Sequence, residues 1–297
     1  MKMNATAIIK KILSVFSPEL PEPPPPLPDT RDVSGLLFHP RHDEWGCETA
    51  FRAVELPVGG ATLRMPLFPD DSADGDVVVF FHGNGETAGD WTWKAREMSQ
   101  AFGASVLFAE YRGYGKSDGS PSYATMLSDA EVLFRSVRDG TLFGKPGGVR
   151  VGKVHVFGRS IGSAPAIHVV WKFGRDVASL VIDSGFARLP ALIERLGKGA
   201  VHSPSLPRGF RDNADKLRET RVPTLFLHGG EDGLIPIEAA RENFNASASP
   251  QRRLIELPGA GHNNTLFASD YFRHIGDFLA QIPKLAHEDV PFCYNAC

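Results

Sequence analysis

Six apolar runs of strand type recur along this chain: Val77–Phe81, Val106–Ala109, Val154–Phe157, Leu180–Ile182, Leu225–Leu227 and Leu254–Leu257. Helix-like stretches separate or follow them at Trp91–Phe102, Tyr123–Arg138, Ile161–Phe173, Pro236–Phe244 and Phe267–Ile282. A strand that is apolar throughout has no face for solvent, so it must be covered on both sides. Repeated strand–helix alternation therefore predicts an α/β fold with a mostly parallel central sheet and helices on both faces. Upstream, Ala61–Phe68 alternates with a period of two and pairs naturally with Ala50–Leu56 across Gly59-Gly60, as an antiparallel hairpin. Pro66 marks that strand as an edge.

Parallel sheets of this kind bind ligands beyond the carboxyl ends of their strands, and that is where the polar clusters fall. The run Val154–Phe157 enters Gly158-Arg159-Ser160-Ile161-Gly162 and leaves into a helical stretch. A serine between strand and helix sits on a sharp, strained turn, flanked by glycines that let neighbouring chain pass close. Gly-x-Ser-x-Gly alone is a weak signal in a chain with 30 glycines; its strand and helix strengthen it. After Leu225–Leu227 comes His228-Gly229-Gly230-Glu231-Asp232, and after Leu254–Leu257 comes Pro258-Gly259-Ala260-Gly261-His262. Acyl transfer needs a nucleophile, a base, an orienting acid and donors aimed at an oxyanion. Ser160, His262 and Asp232 supply the first three. The backbone amides of Asn84, in His82-Gly83-Asn84-Gly85, and of Ile161 are the expected oxyanion hole. Asp183 and the adjacent Glu231 are rivals for the acid, while His82 and His228 read as structural hydrogen-bonding residues.

These motifs, together with Phe38-His39-Pro40 and the stretch Tyr111 to Ser122, resemble the α/β-hydrolase-fold serine hydrolases over roughly residues 36–283. The closest likeness is to the single-domain subgroup that includes depalmitoylases and lysophospholipases. The resemblance implies cleavage of carboxylic esters or thioesters through an acyl-enzyme, without metal or cofactor, on a small-molecule or acyl-chain ester. It also places Tyr111 to Ser122 beside the mouth of the site. Two other readings stay open: a non-catalytic hydrolase-like binding protein, and a dinucleotide-binding oxidoreductase. The latter would use Gly83-Asn84-Gly85-Glu86-Thr87-Ala88 against a pyrophosphate and Glu110 on a ribose.

Other patterns carry less. Asp70 to Asp76 has calcium-loop spacing, but Phe81 stands where the twelfth-position glutamate belongs, so it reads as a solvated acidic loop. Gly115-Lys116-Ser117 ends like a phosphate loop, but Glu110 replaces the glycine required five residues earlier. A cluster at His39, His42, Asp43 and Glu44 lacks the register of a zinc motif. The net charge of −3 gives no basic excess for nucleic acid. Three cysteines, Cys47, Cys293 and Cys297, form no CxxC pair and suit a reducing compartment, the cytoplasm. Residues 1–32 read as an amphipathic segment followed by the proline-rich spacer Pro21 to Pro28. Residues 3–16 either pack on the body or make a weak membrane-surface contact, which would put the protein at the membrane periphery. The hydrolase domain is expected over 33–297, with a short lid at about 186–220.

Overall fold

A computed structural model describes residues 35–43, 50–70, 75–143, 151–197 and 209–282. The amphipathic segment at 3–16, the proline-rich spacer and all three cysteines lie outside the described residues.

Among the described residues eight strands form one sheet: β1 (Arg52–Val58), β2 (Ala61–Phe68), β3 (Val77–Phe81), β4 (Ser105–Ala109), β5 (Val154–Arg159), β6 (Ser179–Asp183), β7 (Thr224–Gly229) and β8 (Arg252–Leu257). Their order is β1-β2-β4-β3-β5-β6-β7-β8. β1 and β2 run antiparallel to each other and β2 runs antiparallel to β4, whereas β4, β3 and β5 to β8 are mutually parallel. Five of the six apolar runs lie inside the sheet, and every residue of β3, β5, β6 and β7 is buried, but Leu254–Leu257 belongs to β8 at the sheet's edge, where only Leu257 is buried. The mostly parallel α/β sheet expected from the alternation is the one observed.

Among the described residues the sheet is covered by the α-helices α1 (Ala95–Phe102), α2 (Tyr123–Arg138), α3 (Ser163–Phe173), α4 (Leu189–Leu196), α5 (Asn213–Leu217), α6 (Ile237–Ala246) and α7 (Tyr271–Leu279). Two apolar layers result. One joins Met98 and Phe102 of α1 to Tyr271, Ile275 and Phe278 of α7 beneath Phe80, Phe108 and Phe157. The other gathers Leu133, Phe134, Ile167, Val170, Leu189, Ile193 and Leu217 on the opposite face.

Pro66 does not mark an outer edge. β2 lies between β1 and β4, but it meets β4 only through Leu67 and Phe68. Beyond them its second flank meets a turn rather than a strand, with Arg64 N donating to Ser117 Oγ and Asp118 N to the Thr62 carbonyl, so a residue without an N–H is tolerated at position 66. Two expected helices are broken. Ala88–Lys94 is a 3-10 turn begun by a Thr87/Asp90 capping box, with Trp91 tucked against Phe80 at 4.7 Å, before α1 starts. Thr265–Phe267 is likewise a 3-10 turn, and the extended backbone of Ala268 separates it from α7.

Within the interval read as a lid, α4 is strapped to the body at both ends. Arg188 pairs with Glu242 at 2.7 Å and Asp215 at 2.9 Å, and Arg195 donates to the Gly233 carbonyl at 2.9 Å. α5 belongs to the body itself, with Asn213, Ala214 and Leu217 wholly buried.

Candidate active site

β5 delivers the chain into a turn at Ser160, whose φ of 53° is left-handed and costs a non-glycine residue about 1–3 kcal/mol. The flanking glycines are required by contact. A Cβ on Gly158 would lie 2.6 Å from the Ala166 Cβ, and one on Gly162 would strike the Phe81 carbonyl and sit 2.6 Å from that of His82. Gly162 thus lets the end of β3 press directly against the serine turn. The strained turn is held from behind: Ser163 Oγ donates to the Ser160 carbonyl at 2.6 Å, and α3 begins there.

Two further loops meet this serine. His262, after β8, places Nε2 2.9 Å from Ser160 Oγ and Nδ1 2.8 Å from Asp232 Oδ2. An ionised carboxylate only accepts, so Nδ1 donates to it and the Nε2 lone pair faces the serine hydroxyl. Asp232, after β7, also accepts from the backbone N–H groups of Leu234 at 2.9 Å and Ile235 at 2.8 Å through Oδ1. All three side chains are buried. Burial pushes the Asp232 carboxyl up, but hydrogen bonds from His228 and His262 more than offset it and hold the group well below the usual carboxylate range.

The structure places the other predicted residues as follows. The His82–Gly85 turn at the end of β3 carries Asn84, whose side-chain oxygen accepts from His39 N at 2.8 Å and Tyr114 OH at 3.0 Å. His82 Nε2 lies 2.6 Å from Glu110 Oε1, Tyr111 OH donates to the His82 carbonyl at 2.8 Å, and Ala88 N donates to Glu110 Oε2 at 2.9 Å. The Tyr111–Ser122 stretch therefore braces this turn. Ile161 follows Ser160 in the helical turn that leads into α3. Glu110, fully engaged and 2 % exposed, is not available to a ribose. The His262 ring's Nδ1 bonds to Asp232, whereas Asp183 accepts from Thr265, Tyr271 and Ser184 at 2.8–3.0 Å and ties loops together. Glu231 is exposed. Arg112 forms a two-pronged pair with Asp129 at 2.7 and 2.8 Å. Among the described residues no group of three or more His, Cys, Asp and Glu side chains could hold a metal ion.

Two residues of the site, Arg159 and Glu86, escaped sequence reasoning, whereas His228 acts as the structural hydrogen-bonding residue expected of it. Arg159 reads in the motif only as the variable position before the serine. Its buried guanidinium donates to the His262 carbonyl at 2.8 Å and pairs with Glu86 Oε1. Glu86 Oε2 in turn accepts from Gly83 N at 2.7 Å and Trp91 Nε1 at 3.0 Å. One arginine thus joins the serine turn, the histidine loop and the β3 loop. His228 Nε2 donates to the Ile235 carbonyl at 2.7 Å and lies 3.3 Å from Asp232 Oδ2. Burial pushes its imidazole down, but Asp232 beside it raises the net result.

Comparison with known proteins places this geometry in context. A family model described as serine aminopeptidase, S33, matches residues 73–203. An uncharacterized protein of Mycobacterium tuberculosis (strain ATCC 25618 / H37Rv) is 33% identical over 214 residues, 69% of each chain. Protein bem46 of Schizosaccharomyces pombe is 28% identical over 207 residues, 69% of this chain and 67% of its own. Among solved structures, the Pyrococcus furiosus esterase Pf2001 superposes with a TM-score of 0.64 at 19% identity, covering 83% of this chain and 97% of that one.

Proposed function

The chain belongs to the α/β-hydrolase-fold serine hydrolases, and from that premise we propose that it cleaves carboxylic esters or thioesters through an acyl-enzyme on Ser160. The observation that carries the reading is the unbroken hydrogen-bonded line from Ser160 Oγ through the His262 ring to Asp232. His262 Nε2 takes the hydroxyl proton as Oγ bonds to the acyl carbon, and Asp232 stabilises the imidazolium and fixes its tautomer. Negative charge gathers on the former carbonyl oxygen, where the amides of Asn84 and Ile161 receive it, helped by the amino-terminal end of α3. The tetrahedral intermediate collapses, the bond to the leaving oxygen or sulfur breaks, and Nε2 returns the proton to that atom. Water then repeats the sequence on the acyl-enzyme and frees Ser160.

The name of the solved Pyrococcus furiosus esterase supports an ester as substrate. A weak membrane-surface contact through residues 3–16, with a cytoplasmic body, fits an acyl-chain ester. No helix among the described residues is long and apolar enough to cross a membrane. The test is hydrolysis of short p-nitrophenyl esters by the protein and by Ser160→Ala. Loss of turnover in a variant that still folds is expected; retained turnover would refute the reading, and turnover by neither would favour a binding protein.

A further inference from the structure

Beside the serine turn lies an open hollow of about 420 Å³ that the reaction as described does not use. It is bounded by Asn84 and Glu86 of the β3 loop, by Arg159, and by Asn263 and Phe267 of the loop that follows His262. Its chemistry is divided. The floor is polar: Arg159 and Glu86 pair there, Trp91 donates to Glu86, and Asn263 Oδ1 lies 3.4 Å from the guanidinium. The wall is aromatic. Trp93 and Phe267 stack with ring centroids 6.2 Å apart at 29°, and Lys94 Nζ sits 4.5 Å from the Trp93 ring. Trp93 is 57% exposed and Phe267 68%. Only one other large apolar side chain, Leu234, is similarly exposed among the described residues. Isolated exposed hydrophobics need no explanation, but two stacked at the rim of one hollow, between the β3 loop and the loop that follows His262, point to a ligand.

We propose that this hollow is the leaving-group subsite, and that it selects flat aromatic alcohols carrying a further hydroxyl. The inference rests on the ester-hydrolase reading of Ser160. The departing oxygen must lie within reach of His262 Nε2 to receive its proton, and the hollow is built from the residues that directly continue from His262. A plain alkyl group would strip water from the Arg159–Glu86 floor and return nothing. An aryl group offers a face to Trp93 and Phe267, and its hydroxyl replaces the lost water on the floor. A second groove, between α4 and α6 and of about 460 Å³, combines Phe186, Leu192, Leu234 and Ile235 with charged side chains such as Arg188 and Glu242, and has no aromatic stack.

An acyl-enzyme separates the two halves of a substrate in time, and this makes the proposal testable. Acylation, read by kcat/KM, senses the alcohol; deacylation takes place after the alcohol has gone. The measurement compares 3-hydroxyphenyl acetate, phenyl acetate and 2,2,2-trifluoroethyl acetate on the full chain and on Trp93→Ala/Phe267→Ala, with Phe267→Ala alone as a milder variant. Stacking on this scale corresponds to a loss of about tenfold in kcat/KM for the aryl esters relative to the trifluoroethyl ester. The single-turnover deacylation rate of the acetyl-enzyme is expected to stay within about twofold. An equal fall for all three esters, or a slowed deacylation, would overturn the proposal. So would unchanged ester ratios with reduced sedimentation on phosphatidylcholine vesicles, which would assign the aromatic pair to a lipid surface. Labelling of Ser160 by a fluorophosphonate, run in parallel, separates the two claims: a labelled enzyme with unaltered selectivity fails the subsite alone, whereas an unlabelled one fails the hydrolase reading.

Discussion

Replacing Arg159 by Met keeps much of the side chain's volume while removing its charge and all of its donors. It leaves Glu86 facing a buried apolar group and the His262 carbonyl without its 2.8 Å partner. Breaking a largely buried ion pair from one side costs about 3–5 kcal/mol, because the remaining charge is stranded. Glu86 keeps 21% of its side chain exposed and can draw on water, so the lower half of that range applies to the pair. The lost bond to the His262 carbonyl brings the total to about 4 kcal/mol. For a chain of this size that corresponds to a fall of about 8–16 °C in Tm. Adding Glu86→Gln removes one stranded charge while still offering an acceptor to Gly83 N, but the buried Asp183 carboxylate, 3.9 Å from the guanidinium, still loses its cation, so the double variant should recover only part of the lost stability. Activity follows a different rule. In both variants the histidine loop has lost its tether, and a displacement of about 1 Å at the base lowers kcat about 100-fold. The assay pairs thermal unfolding with kcat on a p-nitrophenyl ester. Recovery of kcat along with Tm in the double variant would show that Arg159 serves stability alone and refute its positioning role.

Two further predictions concern protons. Burial pushes the His155 imidazole down to about 4, with Ser179 Oγ at 2.8 Å, against about 6.5 in an unfolded chain. Between those values the unfolded chain binds the proton and the folded one does not, so stability falls as pH drops from about 6.5 to about 4, by about 3 kcal/mol. His155→Gln should flatten that part of the curve; equal slopes by denaturant titration would contradict it. Asp232 shifts in the same direction over a lower window: its folded carboxyl lies below the usual range, so the stability it gives is full above about pH 4 and is lost as pH falls further. Asp232→Asn should cost stability at neutral pH, converge with the parent only in strong acid, and lower kcat at least about 100-fold through the wrong imidazole tautomer. A variant that keeps its kcat would remove Asp232 from the mechanism.

The parts of the molecule that could be read from the chain are those whose physics is local or periodic. Val77–Phe81 can be assigned to the sheet centre because a five-residue apolar run leaves no polar face, and Val154–Phe157 because it is apolar but for His155. The loops carrying Ser160, Asp232 and His262 follow such runs directly, so their meeting at one rim follows from the sheet. The parts that could not be read depend on partners far along the chain. Arg159 gains its meaning from Glu86 and His262, 73 and 103 residues away. Pro66 is tolerated because β4 reaches only the end of β2, and no run of residues near Pro66 encodes that register. Trp91 leaves the helix expected of it to pack on Phe80, a tertiary demand that overrides helical propensity.

The account depends on Ser160 being a nucleophile that His262 activates, and a fluorophosphonate probe reads this without assuming any substrate. Intact mass and peptide mapping should find one adduct, on Ser160, formed rapidly by the parent protein and slowed about 10³-fold or more in His262→Ala. An adduct on another residue, or labelling of Ser160 at the same rate without the imidazole, would contradict it.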